Sequence, residues 1–164
     1  MPAEFENKLF SLGIELPTPP TFSATYVPFL IENRMLYISG QLPILNGSLL
    51  YAGKVGKDIS MEKAQEAAYL CALNILAHLK IACDESFERV KRCVRLGGFI
   101  NAIDDFSDHP LVLDGASELM IQTFGSMGNH TRTSIGVSSL PLNAPVEIDA
   151  IFSLEDEEAA PFSL

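Results

Sequence analysis

A chain of 164 residues, 48% of them hydrophobic, is long enough to close one core and short for two. Its 11 Lys and Arg stand against 21 Asp and Glu, a net charge of −10. Phosphate backbones are bound by cations that displace counterions, so this balance disfavours nucleic acid as a partner. The basic cluster at Lys91, Arg92 and Arg95 does not reverse that, because on a strand its charges divide between two faces.

Residues 3–12 predict a short amphipathic helix with Phe5, Leu9 and Phe10 on one side; Gly13 stops it and Pro17, Pro19 and Pro20 make a non-helical connector. Residues 25–31 predict a strand in which Pro28 implies an edge or a bulge. Asn33-Arg34 reads as a turn into a second strand at Met35–Gly40, pairing with the first as a hairpin. Residues 41–57, rich in Gly, Pro and Asn, predict a loop around a short extended piece at 49–51. The clearest helix starts near Ser60 and runs to about Ala82, with Ala64, Ala67, Ala68, Cys71, Ile75, Leu79 and Ala82 at three- and four-residue steps. Phe87–Ile100 predicts a strand, whose Gly97-Gly98 pair suggests a bulge or a close approach by another backbone or a ligand. A second long helix spans about 109–125, burying Leu113, Ala116, Leu119, Met120 and Phe124. Thr131–Val137 and Val146–Phe152 alternate polar and apolar and read as a second hairpin. Residues 1–154 therefore predict a single α+β domain, one mostly antiparallel sheet with two helices on one face, followed by an acidic tail at 155–164. The uncovered sheet face would need a partner, and self-association is the economical one.

Cys71, Cys83 and Cys93 form an odd set without CxxC spacing, so neither a disulfide framework nor a zinc site is expected; buried free thiols in a reducing cytosol are. The N-terminal residues lack the basic start and apolar run of a signal peptide, and no apolar stretch approaches a membrane span. The expectation is a soluble, cytoplasmic protein.

P-loop, HExxH, GxSxG and GxGxxG motifs are missing from the sequence. His78, His109 and His130 have no acidic or thiol neighbours at metal-ligand spacing and read as surface or capping residues; no metal is expected. Arg132 and Glu147 sit in successive strands, fifteen residues apart, where antiparallel pairing could bring them together. They could form a cross-strand salt bridge. Alternatively they could supply a guanidinium fork for a carboxylate and an acid that handles a proton or a water.

Two segments carry a family likeness. Leu36-Tyr-Ile-Ser-Gly-Gln-Leu-Pro and Arg132-x₇-Leu-Pro-x₄-Val-Glu147-Ile-Asp-Ala, about 90 residues apart, resemble the two signature segments of the Rid (YjgF) family, also labelled endoribonuclease L-PSP. The likeness covers roughly residues 20–153 and is nearest to a longer branch with an N-terminal helix. It implies a chorismate-mutase-like fold of the bacillary type, a homotrimer whose sheets form a central barrel, and clefts between subunits. It further implies hydrolysis of reactive 2-imino or 2-enamino acids to 2-keto acids and ammonia, as in 2-iminobutanoate/2-iminopropanoate deaminases, with no cofactor. By position, Arg132 would pair with the substrate carboxylate and Glu147 would position the hydrolytic water. Tyr26, Ser39 and Gly40 would line the pocket. Ser134 stands where the archetypal deaminases carry Cys, and Asp114 or Glu118 stands near the place of a cleft Asn. The same cleft could instead bind a keto acid without turnover, and a ribonuclease or translation inhibitor is a third reading.

Overall fold

An Ala-rich helix face and a strand order that brings the chain's middle and end together determine this architecture. The computed structural model describes residues 4–21 and 25–156. Helix α1 (Glu4–Ser11) leads to the hairpin β1 (Phe29–Glu32) and β2 (Met35–Gln41), then the small ribbon β3 (Ile44–Leu45) and β4 (Ser48–Leu49). Helix α2 (Met61–Ala82), strand β5 (Val90–Asn101), helix α3 (His109–Phe124), strand β6 (Thr131–Val137) and strand β7 (Val146–Leu154) follow. The five-stranded sheet has the order β1-β2-β7-β5-β6, antiparallel except for the parallel β5–β6 pair.

The local causes are plain. Asn33 and Arg34 both adopt positive φ (52° and 63°), the two-residue turn that matches the twist of a hairpin. Strand β1 starts only at Phe29, after Pro28, whose missing N–H cannot join a ladder. The Ser60 side chain caps α2 by accepting from the Lys63 N–H at 3.3 Å. Ala64, Ala67, Ala68 and Ala72 are fully buried, so α2 lies close to the sheet, while Gly98 leaves room for Leu113 of α3. Gly97-Gly98 is therefore a close-approach site; the register shifts of β5 fall earlier, between Val90 and Arg95. Fully buried Leu36, Leu96, Ile148 and Phe152 line the helix-facing side of the sheet, each contributing about 1.5–3 kcal/mol relative to exposure.

Within α1, Leu9 is buried and Phe5 packs edge-on against Phe124, but Phe10 is 85% exposed, so the predicted three-residue apolar side reduces to two. All three cysteines are buried free thiols, and burial pushes Cys83 up to about 11 and Cys93 to about 12, which leaves them protonated and unreactive. Of the acidic tail, Asp156 accepts from Arg34 at 2.8 Å; positions 157–164 lie outside the described residues, as does residue 3 of the predicted first helix.

One predicted pairing is overturned. β6 and β7 are not a hairpin: α3 carries the chain from β5 over to β6 as a parallel crossover, which places β6 on the sheet edge beside β5. β7 then returns on the other side of β5, between β5 and β2. On the face opposite the helices, Leu30, Tyr37 and Ile135 are each more than two-fifths exposed.

Candidate functional site

Register decides where the site residues go. Arg132 lies opposite Leu96, a buried core residue, so both point to the helix side of the sheet; Glu147 lies opposite Phe99 and points the other way. With β5 between their strands, Arg132 and Glu147 of one chain are not cross-strand neighbours, and the salt bridge between them does not form. Five of the six expected site residues fall into two groups. Arg132 and Ser134 belong to the β6 edge under α3. Ser39 and Gly40 of β2 and Glu147 of β7 gather on the other side of the sheet, whereas Tyr26, before β1, lines a separate cavity with Phe29, His78 and Ile81 on the helix side and is not brought to them.

In the first group the Arg132 guanidinium is held from one side. Nη1 donates to Asp114 Oδ1 at 2.8 Å and to Ser117 Oγ at 3.0 Å, and Nη2 donates to the Pro110 carbonyl at 3.2 Å. Three of the five N–H groups are thus used; Nε–H and one Nη2–H have no partner among the described residues. These two donors remain for an anion at the guanidinium. His130 supports this set from behind. Its Nδ1 lies 2.6 Å from the Gly128 carbonyl, so that nitrogen carries the proton. In the neutral ring Nε2 then accepts from Ser117 Oγ at 2.9 Å. Ser134 Oγ is occupied by the His109 carbonyl at 2.8 Å and ties the first turn of α3 to β6.

The second group is built around a bulge. The β2–β7 register shifts between Ile38 and Gln41, and Gln41 Nε2 closes the bulge on the Ser39 carbonyl at 3.0 Å. Behind it, buried Asn74 of α2 donates to the Leu42 and Ile44 carbonyls, fixing the Gly-Gln-Leu-Pro run to the helix. Ser39 holds the preceding segment: its N–H donates to the Pro28 carbonyl at 2.9 Å and its Oγ to the Val27 carbonyl at 2.8 Å. Tyr26, one residue earlier, is 55% exposed and lines a cavity with Phe29 and His78. The Glu147 side chain fills the space that a Cβ on residue 40 would take. Burial first, and the Asp149 carboxylate second, push the Glu147 carboxyl above its ordinary range. Asp149 itself is raised by burial, against the pull of Arg95 Nη1 at 3.4 Å. A cavity of about 320 Å³ opens here, lined among others by Tyr37, Ser39, Gly40, Arg95 and Asp149.

Several of these roles had not been expected. Ser117 and His130 join the Arg132 set, although His130 had read as a surface or capping residue. His78 is buried rather than exposed, with both ring nitrogens unpartnered among the described residues. Of the two acidic candidates, Asp114 contacts Arg132, whereas Glu118 turns into a groove between α2 and α3 with Gln65 and Glu66. Among the described residues no group of three His, Cys, Asp or Glu could hold a metal ion, and no helix is long and apolar enough to cross a membrane.

This sheet and helix arrangement, with its paired Gly40–Glu147 and edge-mounted arginine, defines a chorismate-mutase-like fold. The family described as "YjgF/chorismate_mutase-like, putative endoribonuclease" matches residues 6–153. The chain belongs to this YjgF/Rid family. It is 35% identical over 146 residues to Protein TCP17 of Trypanosoma cruzi, covering 88% of this chain and 91% of that protein. The crystal structure of Atu1372 from Agrobacterium tumefaciens, a protein of unknown function, superposes with a TM-score of 0.86 at 42% identity, covering 92% of each chain. A Shewanella oneidensis MR-1 structure labelled "putative endoribonuclease" gives 0.88 at 36% identity, covering 92% of this chain and 99% of the other.

Proposed function

We propose that the protein is an enamine/imine deaminase that works as a homotrimer in the cytoplasm. Its single domain, residues 1–154, would lend each intersubunit cleft Arg132 and Ser134 from one copy and Tyr26, Ser39, Gly40 and Glu147 from the next. The observation that carries this reading is the division of Arg132 and Ser134 from Ser39, Gly40 and Glu147 between the two sides of one sheet, with two Arg132 donors unused. One chain cannot bring Arg132 and Glu147 to the same ligand, while the apolar open face invites a second copy.

In the cleft, Arg132 holds the carboxylate of a 2-imino acid through its unused donors, in a setting drier than water. The imine carbon is electrophilic and needs only orientation and a water. Glu147, positioned by Gly40, accepts a proton from that water as its oxygen bonds to carbon. That proton passes to nitrogen to give a carbinolamine; its hydroxyl proton then moves to nitrogen as the carbonyl forms and the carbon–nitrogen bond breaks, leaving a 2-keto acid and ammonia. Ser134 is tied to a backbone carbonyl, so it shapes the pocket without acting as a nucleophile.

One observation favours a second reading, a keto-acid binding module without turnover: Asp114 already occupies part of the arginine. For the ribonuclease label the residues give little support. His78 is buried and His130 is bonded through both nitrogens, so the chain offers no free histidine pair, and its charge repels RNA.

Imino acids generated in situ by an amino acid oxidase and trapped with semicarbazide provide the test. The protein is expected to suppress adduct formation, and Arg132→Ala to abolish the suppression. Binding of pyruvate or 2-oxobutyrate with no suppression would replace the enzyme by the module. RNA cleavage that survives purification and disappears in Arg132→Ala would restore the nuclease.

A further inference from the structure

We infer that the hydrogen-bonded row of Ser117 and His130 keeps Arg132 open to an anion, by holding the guanidinium out of a closed ion pair with Asp114. The inference rests on the cleft reading above and makes His130 a positioning residue for that site.

Arg132 and Asp114 are both partly exposed, at 27% and 39%, so neither head group is locked by packing alone. An arginine and a carboxylate left to themselves favour two parallel bonds, fork to fork. Here only Nη1 reaches Oδ1, and Asp114 Oδ2 has no partner among the described residues. The cause lies on the second N–H of Nη1, which Ser117 Oγ takes at 3.0 Å. With the Pro110 carbonyl on Nη2, that bond fixes the plane of the guanidinium. Without Ser117, a turn of the guanidinium brings a second donor to Oδ2. An incoming anion then competes with Asp114 for the same fork.

Ser117 accepts from Nη1 only while its own hydrogen points elsewhere, and His130 takes that hydrogen. Because Nδ1 donates to the Gly128 carbonyl, Nε2 is bare and accepts from Ser117 Oγ at 2.9 Å. The row thus runs one way, from Nη1 through Oγ and the imidazole to the backbone. Its far end is fixed: a Cβ on residue 128 would strike the Met120 carbonyl, so this turn lies hard against α3. Thr123, on the same helix, shows what a hydroxyl does there without such a partner. It turns back to the Leu119 carbonyl, four residues earlier, at 2.8 Å. Ser117 makes no such bond to Leu113 among the described residues, so making it would move Oγ from its place on Nη1.

Pyruvate, a plain carboxylate, reads the open fork without turnover. Ligand-observed NMR titrations compare the full-length wild type in its native assembly with His130→Leu, His130→Gln, Asp114→Asn and Arg132→Ala. His130→Leu is expected to weaken pyruvate about tenfold, the scale of one charge-assisted hydrogen bond. His130→Gln offers Ser117 an amide oxygen in place of Nε2 and should bind close to the wild type. The deciding comparison adds His130→Leu to Asp114→Asn, where no second carboxylate oxygen waits for the guanidinium. There the His130 change should weaken pyruvate by less than about twofold. The same loss in both backgrounds would overturn the inference, since His130 would then be a general support of the fold. So would His130→Leu binding pyruvate as the wild type does. If the wild type binds no pyruvate, or Arg132→Ala binds it equally well, the cleft reading itself fails and takes this inference with it.

Discussion

Glu147 and Gly40 interlock across β7 and β2: Oε1 of the glutamate occupies the position that a Cβ on residue 40 would take. Glycine is required there by a side chain and not by backbone conformation, since Gly40 is not among the positive-φ glycines.

Gly40→Ala is therefore expected to act on chemistry more than on folding. The added methyl group must displace a flexible, half-buried carboxyl, so the stability loss should stay near the low end of overpacking, about 1 kcal/mol. The displaced carboxylate should reduce imine hydrolysis by about 100-fold, the scale of a misplaced catalytic group. Because both changes act through Glu147, Gly40→Ala added to Glu147→Ala should cost nothing further. Additive losses in the semicarbazide assay would show that residue 40 acts on its own.

The raised carboxyl of Glu147 gives a pH prediction with a definite sign. Burial and Asp149 disfavour its charged form, so the folded chain holds a proton over a range where the unfolded chain has lost it. Stability from this group is full below the ordinary Glu value and is lost as pH rises through the raised one. Activity runs the opposite way, because only the carboxylate can take the proton from water. Hydrolysis should fall, as the medium turns mildly acidic, at a pH above that expected for an ordinary glutamate. Asp149→Asn removes the second cause of the shift and should move this limb to lower pH. A limb unmoved by Asp149→Asn would mean that another group controls it.

How much of this was legible in the sequence follows from range. Periodicity located α2 and α3 because a helix face is a local pattern, and Ala64 to Leu79 carry it almost without interruption. The signature segments located Ser39, Gly40, Arg132 and Glu147 for the same reason. Strand order is not local: the alternation of 131–137 and 146–152 is the same whether the strands pair with each other or flank β5. Only the α3 crossover decides it, and no residue in either strand records that. Ser117 was similarly hidden, whereas the resemblance offered Asp114 and Glu118 together, and only β6, by supplying Arg132, separates the two. His130, placed just before β6, read as a surface or capping residue and proved to bond Ser117 and the Gly128 carbonyl.

His78 shows the cost of reading a helix position without its surroundings. It is only 4% exposed, beside Phe29, and both ring nitrogens lack partners among the described residues. Burial lowers its affinity for a proton. The sign is opposite to that of Glu147: unfolding frees the ring to protonate near its ordinary value of about 6.5. The neutral buried ring thus costs stability increasingly as pH falls through that value. His78→Leu removes both the unpartnered nitrogens and this dependence. At neutral pH it should stabilise the fold by about 1 kcal/mol or more, raising Tm by about 2–4 °C. The gain should widen between pH 7 and 5. A cavity of about 280 Å³ adjoins the imidazole, with Pro28 and Ile81 in its wall. If thermal melts show His78→Leu equal to or below the wild type at both pH values, water in that cavity satisfies the ring and the cost assigned to it is wrong.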